Sequence, residues 1–325
     1  MFSALKSRPA RLGLAAAGLL ALSGLSGSRH ASAAGDADWP SHVSAVYTIS
    51  FNGFDIGRFA FEAQVSAKSY TLSGDAEISA LLGFVKWQGL TRTVGQMSGA
   101  SVSPTGYAFD YTSSAKSGSV RMSFRNSAVT SSTANPPLPI TPETVPVERS
   151  QLKGVLDPLT AVMAMTRPSG DDPCSQRLPI YDGLQRFDLV TAPSGTRQLS
   201  GQQGIVHVCE MRYRPISGYQ RGSETENLAQ TLKIEISMLP MPNAGLYVPH
   251  EIKIPTLVGS AVLKLQKIDI VTSDREQIAY ANRPPDVVMR PLHTRFRLLD
   301  SPASGVRHLQ SEWGRTIAGC ARSRR

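Results

Sequence analysis

The sequence predicts a mainly β protein: a curved antiparallel sheet, or half-open barrel, wrapped around one buried helix. Three observations carry this expectation. Runs that alternate apolar and polar residues recur between Val43 and Val271, short turns rich in Gly, Ser and Pro separate them, and one segment, Leu159 to Met165, is apolar on nearly every side. With 41% hydrophobic and 18% charged residues in 325, the chain can bury a core, and three cysteines are too few for a disulfide-dense miniprotein.

The N-terminus stands apart from the fold. Lys6, Arg8 and Arg11 precede an apolar stretch from Leu12 to Leu25, and Ala31-Ser32-Ala33 forms a small-x-small cleavage site. Residues 1–33 are therefore expected to be a secretory signal peptide, and the mature chain to be exported to the periplasm or the cell exterior. A membrane anchor is the competing reading, but the run is shorter than the roughly 20 apolar residues a bilayer span requires.

Strands follow in order. Val43, Ala45, Tyr47, Ile49 and Phe51 alternate; Asn52-Gly53 turns the chain; Phe59, Phe61, Ala63 and Val65, then Tyr70, Leu72, Gly74, Ala76 and Ile78, alternate again. Joined by short turns, these make a meander with one face on a core. Ser79 to Phe84 reads as one helical turn or a buried connection. The meander resumes with Val85 and Trp87, with Tyr107, Phe109 and Tyr111, and with Val120, Met122 and Phe124. The aromatic stripe is expected to be core in preference to a stacking platform. Residues 135–146 hold five prolines, which cannot donate to a ladder, so they read as an extended surface insertion.

The helix has explicit signals. Asp157 is an N-cap, Pro158 occupies the first helical position, where its missing N–H costs nothing, and Arg167-Pro168 stops the run. A helix apolar on all sides must be enclosed, and curling the sheet around it is the economical solution. Strands return at Leu178–Tyr181, Phe187–Leu189, Ile205–Tyr213, Leu232–Met238, Val248–Ile254 and Ala261–Val271. Arg186 and Asp188 are expected on the solvent face, with Phe187 and Leu189 inward.

Cys174 and Cys209 are the two cysteines of the body, and in an exported chain they are expected to form a disulfide. His207 shares a strand face with Cys209, but His42 and His250 stand alone, so no metal site is expected. The sequence carries no nucleophile elbow, phosphate-binding loop, dinucleotide fingerprint or His-Glu-x-x-His motif, and no cofactor is implied.

The series Asp157-Pro158 with its helix, Cys174, Tyr181 to Leu189, Cys209 to Tyr219, Leu246 to Pro249, Ile254-Pro255-Thr256 and Gly259-Ser260-Ala261 resembles the exported bacterial family named domain of unknown function 3108. The resemblance covers about residues 40–275. It implies an envelope-associated β-rich domain and carries no catalytic residues across. In architecture such a sheet is similar to the periplasmic lipoprotein carriers, an analogy of fold alone.

Two roles follow as expectations. The first is a non-catalytic binding module with a lipid or lipoprotein ligand in its apolar interior, Asp182, Arg186, Arg212 and Arg214 rimming the mouth; in the plainer reading these four serve turns and solvent faces. The second is a structural or adaptor protein of the envelope. A hydrolase with a dispersed Ser, His and Asp is the remaining alternative.

The net charge of +9 is unevenly placed. Residues 1–33 carry four basic groups and no acid, and residues 281–325 carry nine Arg against three acids, which leaves residues 34–280 at −1. A body this neutral lacks the basic footprint of a nucleic-acid binder. Residues 281–325 read as a flexible arm that could touch anionic surfaces, with the single domain spanning 34–280 and Cys320 left over in the arm. Limited trypsin is expected to remove the arm first and leave a resistant body ending near residue 275; unfolding of the body on trimming would show that the arm is part of the core.

Overall fold

The computed structural model describes residues 39–282, apart from 81–82, 138, 169–171, 201–203, 223–228, 230–231 and 257. The leader, the C-terminal arm and Cys320 lie outside the described residues. Fourteen strands form one antiparallel sheet. The first meander comprises β1 (His42–Phe51), β2 (Phe54–Ser66), β3 (Ser69–Ala80), β4 (Val85–Ser98), β5 (Ser101–Ser113), β6 (Ser117–Arg125) and β7 (Ala128–Asn135). The second comprises β8 (Arg177–Tyr181), β9 (Arg186–Gln198), β10 (Ile205–Ser217), β11 (Ile234–Met241), β12 (Leu246–Thr256) and β13 (Gly259–Val271). β1 pairs with β13 and welds the two meanders together, and β14 (Gln277–Ala281) adds to β13.

β7 and β8 are thus the outer edges of the main strand order, and the chain crosses from one to the other through residues 136–176. This crossover carries a 3-10 turn, Arg149–Leu152, and the helix α1 (Pro158–Met165). The edges are linked through the strand-like residues just before the helix. Lys153 bridges Ala128 of β7, and Leu156 bridges Ile180 of β8, with Leu156 N donating to Pro179 O at 2.8 Å and Tyr181 N to Leu156 O at 2.9 Å. No continuous ladder joins β7 to β8, so the sheet is curled but not closed into a barrel.

Alternation places the apolar residues as expected, with local corrections from bulges. Tyr47 lies opposite both Phe59 and Leu265, but an extra residue in β13 breaks the period, so Leu265, Ile268 and Ile270 are all buried. Leu159, Thr160, Ala161, Met163 and Met165 of α1 are buried. Met163 and Leu159 pack into a cluster with Tyr47, Tyr70 and Leu72, and Ala161 and Met165 into another with Ile180, Cys209 and Met211.

Several expectations need correction. β7 has the sequence AVTSSTAN, with no apolar period, and forms because β6 offers it an edge. Of the segment Ser79–Phe84, β3 takes the part through Ala80, residues 81–82 lie outside the described set, and Gly83-Phe84 turn the chain with Phe84 exposed, so the connection is not a buried one. The proline-rich insertion is tied down at its far end, where Val145 N donates to Tyr219 O and Gly218 N to Val145 O, both at 2.8 Å. β14 pairs with β13 through Ala281, so the described sheet continues past residue 275, where the resistant body was expected to end. No helix among the described residues is long and apolar enough to cross a membrane.

Enclosure of α1 gives a direct test. Leu159→Ala removes a side chain that is 4% exposed at the centre of the sheet and should lower stability by about 2 to 5 kcal/mol. An unchanged urea midpoint would mean that the helix is not held as described.

Candidate ligand-binding site

The site begins with how α1 is anchored. Asp157 is fully buried, and its carboxylate accepts from Leu159 N at 3.0 Å, Thr160 N at 3.1 Å, Thr160 Oγ1 at 2.5 Å and Thr93 Oγ1 of β4 at 2.7 Å. Since Thr160 gives its proton to Asp157, the 3.0 Å contact with Tyr70 Oη is donated by Tyr70 of β3. Burial pushes the Asp157 carboxyl up while the four donors pull it down, and burial likewise raises the Tyr70 phenol. The result is a helix N-cap extended into two strands.

Gly74 of β3 lets the helix come close: a Cβ there would sit 2.9 Å from Thr91 Cγ2 and 3.3 Å from Leu159 Cδ2. The helix accordingly packs chiefly against β3, β4, β5 and β8. It is held off-centre, and over β1, β2, β12 and β13 its outer side leaves a cavity of about 180 Å³.

The cavity wall is apolar. Tyr47, Phe59, Phe61, Met163, Val248 and Leu263 supply most of it, and Ala45 and Ala63 leave the floor low. Its polar atoms are turned away: Tyr47 Oη donates to Pro249 O at 3.0 Å, and Trp39 Nε1 donates to Gly99 O at 3.1 Å. The C-terminal end of the helix is fixed beside it, with Tyr247 N donating to Thr166 O at 2.8 Å and Gln176 Nε2 to Met165 O at 3.1 Å. The arrangement offers shape and dispersion contact to an apolar group.

Cys174 and Cys209 are joined, with Cα atoms 5.1 Å apart, so the segment after α1 is stapled to β10. As a disulfide sulfur, Cys209 offers no thiolate to a metal. His207 stands edge-on to Tyr247, His250 edge-on to Tyr280, and His42 3.9 Å from Glu62. Among the described residues no three His, Cys, Asp or Glu side chains are grouped to hold a metal ion.

The four residues expected to rim a mouth do not line the cavity. Asp182 caps its own turn, accepting from Leu184 N at 2.8 Å and Gln185 N at 2.7 Å, and burial raises its carboxyl. Gly183 follows with φ +98°. Arg186 is buried: Nε donates to Gln151 O at 3.2 Å, and Nη1 reaches Asp188 Oδ1 at 2.6 Å. Arg177 Nη2 meets the other Asp188 oxygen at 2.5 Å. Arg186 and Asp188 do alternate with Phe187 and Leu189, but their face is covered by the 3-10 turn and is not solvent. Arg212 is exposed and paired with Glu210 at 2.7 Å, and Arg214 is exposed on the same face of β10. The aromatic stripe divides: Tyr107 is core, while Phe109 and Tyr111 stack at 5.8 Å and stay half-buried.

Sequence reasoning offered an apolar interior but not the residues that line it, because alternation identifies the inward face and not the volume above it. The signal that could have found it is the pair of inward alanines, Ala45 and Ala63, among Tyr, Phe and Ile neighbours.

Fold and site together define a class, a single-sheet protein wrapped on one helix with an apolar chamber beside it. The chain belongs to the family of proteins of unknown function DUF3108, whose model matches residues 46–266. Comparison with curated proteins and with solved structures returned no match.

Removing the anchor should be costly. Asp157→Ala deletes the cap and leaves buried donors on Thr93 and Thr160 without their acceptor, so a loss of about 2 to 5 kcal/mol is expected from urea denaturation. A loss below about 0.5 kcal/mol would show that the network does not hold the helix.

Proposed function

We propose that the mature chain is an exported, non-catalytic envelope protein that holds a small apolar ligand between α1 and the sheet. The single observation that carries this reading is the cavity of about 180 Å³, walled by aliphatic and aromatic groups whose polar atoms are already bonded elsewhere. An apolar void of about 150 Å³ accepts benzene. The chamber therefore suits one short alkyl or aryl group, and not a two-chain lipid. Export is supported by the leader pattern in residues 1–33 and by the Cys174–Cys209 disulfide, which persists in oxidising compartments.

The adaptor reading has an observation of its own. Phe54 beside the β1–β2 turn, Phe84 before β4 and Val258 in the β12–β13 turn are 76%, 82% and 78% exposed. The turns carrying Phe54 and Val258 are neighbours, with Asn52 Nδ2 donating to Val258 O at 3.3 Å. Apolar tips of this kind favour contact with a partner surface.

Titration with n-alkanols separates the two. If the chamber binds, affinity should rise about fourfold per methylene from butanol upward, following about 0.8 kcal/mol per buried CH₂, and level off once the space is filled. Ala63→Leu should abolish the rise. Absence of saturable binding, or binding unchanged in Ala63→Leu, would leave the adaptor reading in its place.

A further inference from the structure

The two rims of the sheet differ in character. At one rim, residues 67–68, 99–100, 126–127 and 272–276 join successive strands, and none of them exposes a large apolar side chain. At the other, three neighbouring hairpins do so, through Val258 between β12 and β13, Phe54 at the start of β2 and Phe84 just before β4. Their turns lie level because Phe51 pairs with both Phe54 and Ala261, Gly57 pairs with Ile78, and Ala80 pairs with Val85. The row is also fixed laterally. Asn52, at φ +49°, donates from N to Ser260 O at 3.0 Å and from Nδ2 to Val258 O at 3.3 Å, and its Oδ1 accepts from Ser260 N at 2.9 Å. A Cβ at Gly259 would collide with the Asn52 amide, so glycine is what lets the two turns lock. On the other flank, Ser114 of the β5–β6 turn donates from N to Lys86 O at 3.0 Å and from Oγ to Phe84 O at 3.3 Å. Lys86 and Lys116 are exposed there and enter no ion pair among the described residues; Asp55, beside Phe54, is the acid of the row.

We infer that this rim rests on a bilayer with anionic headgroups, Phe54, Phe84 and Val258 inserting below the headgroups and Lys86 and Lys116 meeting lipid phosphates. Separate apolar tips on adjacent turns, with backbone between them, do not form the continuous dry core that a protein interface builds around its anchors. A bilayer surface takes up each side chain singly, and the lysines add attraction to its negative charge. The inference rests on the contact reading of these tips and names their partner. It is independent of the chamber, whose lining includes none of the three apolar tips.

The test is flotation of the full mature chain with vesicles of phosphatidylcholine, alone or with about 30% phosphatidylglycerol, the anionic vesicles binding more tightly and the difference shrinking as salt is added. Phe54→Ser and Phe84→Ser should each weaken binding about tenfold. Both side chains are exposed, so the urea midpoints of these variants should not move. Lys86→Gln and Lys116→Gln should each weaken binding to anionic vesicles about fivefold and leave neutral vesicles unaffected. Phe84→Trp should give indole emission that brominated acyl chains quench on binding. Binding that survives in Phe54→Ser and Phe84→Ser would belong to the arginines of residues 281–325 and overturns the inference, as does a Phe84→Trp indole that lipid does not quench. Sedimentation velocity separates the remaining outcomes. Absence of vesicle binding with self-association that Phe54→Ser abolishes assigns the tips to a second copy, overturning the inference while keeping the contact reading. Absence of both overturns the inference and leaves only a different protein as the partner of these tips.

Discussion

The burial of one carboxylate governs the arrangement of this protein. An isolated helix of eight residues is far shorter than the roughly 12 to 15 at which helices become even marginally stable in water. α1 exists because the sheet encloses it and because Asp157 satisfies its first donors inside the core. The same carboxylate reaches Thr93, and Thr160 passes the network on to Tyr70, so the helix is fixed laterally as well as capped. A helix anchored on β3 and β4 cannot also fill the space over β12 and β13. The chamber is the geometric consequence of where the cap was placed.

The rest of the molecule keeps the sheet curled around that off-centre helix. Each meander is built from short-range hairpins, but the enclosure depends on contacts distant in sequence: β1 with β13, Lys153 with β7, and Leu156 with β8. The second edge is reinforced twice. The disulfide joins residues 35 apart in sequence, and the Arg177–Asp188–Arg186 ion pair buries its carboxylate under the Arg149–Leu152 turn. Removing Asp188 would strand the buried guanidinium of Arg186, at a cost of about 3 to 5 kcal/mol.

What the sequence made legible follows from which forces are local. Strand alternation, the Asp157-Pro158 start of the helix and its all-round apolarity are properties of neighbouring residues, and each emerged where expected. The disulfide was legible from cysteine placement combined with the expectation of export. β7 was not, because Ala128–Asn135 offers no alternating run of large apolar side chains to read. The Arg186–Asp188 pair was misplaced for a related reason. Two charged residues at i and i+2 signal a solvent face unless some distant segment covers it, and the covering turn lies 35 residues away at Gln151. Only half of the binding chamber was accessible to such reasoning: its apolar character lies in the alternation, while its volume depends on the position of a helix fixed by tertiary hydrogen bonds.

That volume carries an argument of its own. The pocket is partly open, so the roughly 4 kcal/mol that about 24 cal/mol per Å³ would assign to an enclosed cavity of about 180 Å³ is an upper bound on the stability forgone there. A disulfide closing a loop of this size contributes about 3 to 4 kcal/mol on the chain-entropy model, an effect of the same order. Larger side chains at Ala45 or Ala63 would point into the pocket that these two residues line. Solid packing was thus sterically within reach of this fold. A chamber of this size, with its polar atoms bonded elsewhere, is the feature on which the proposed binding function rests.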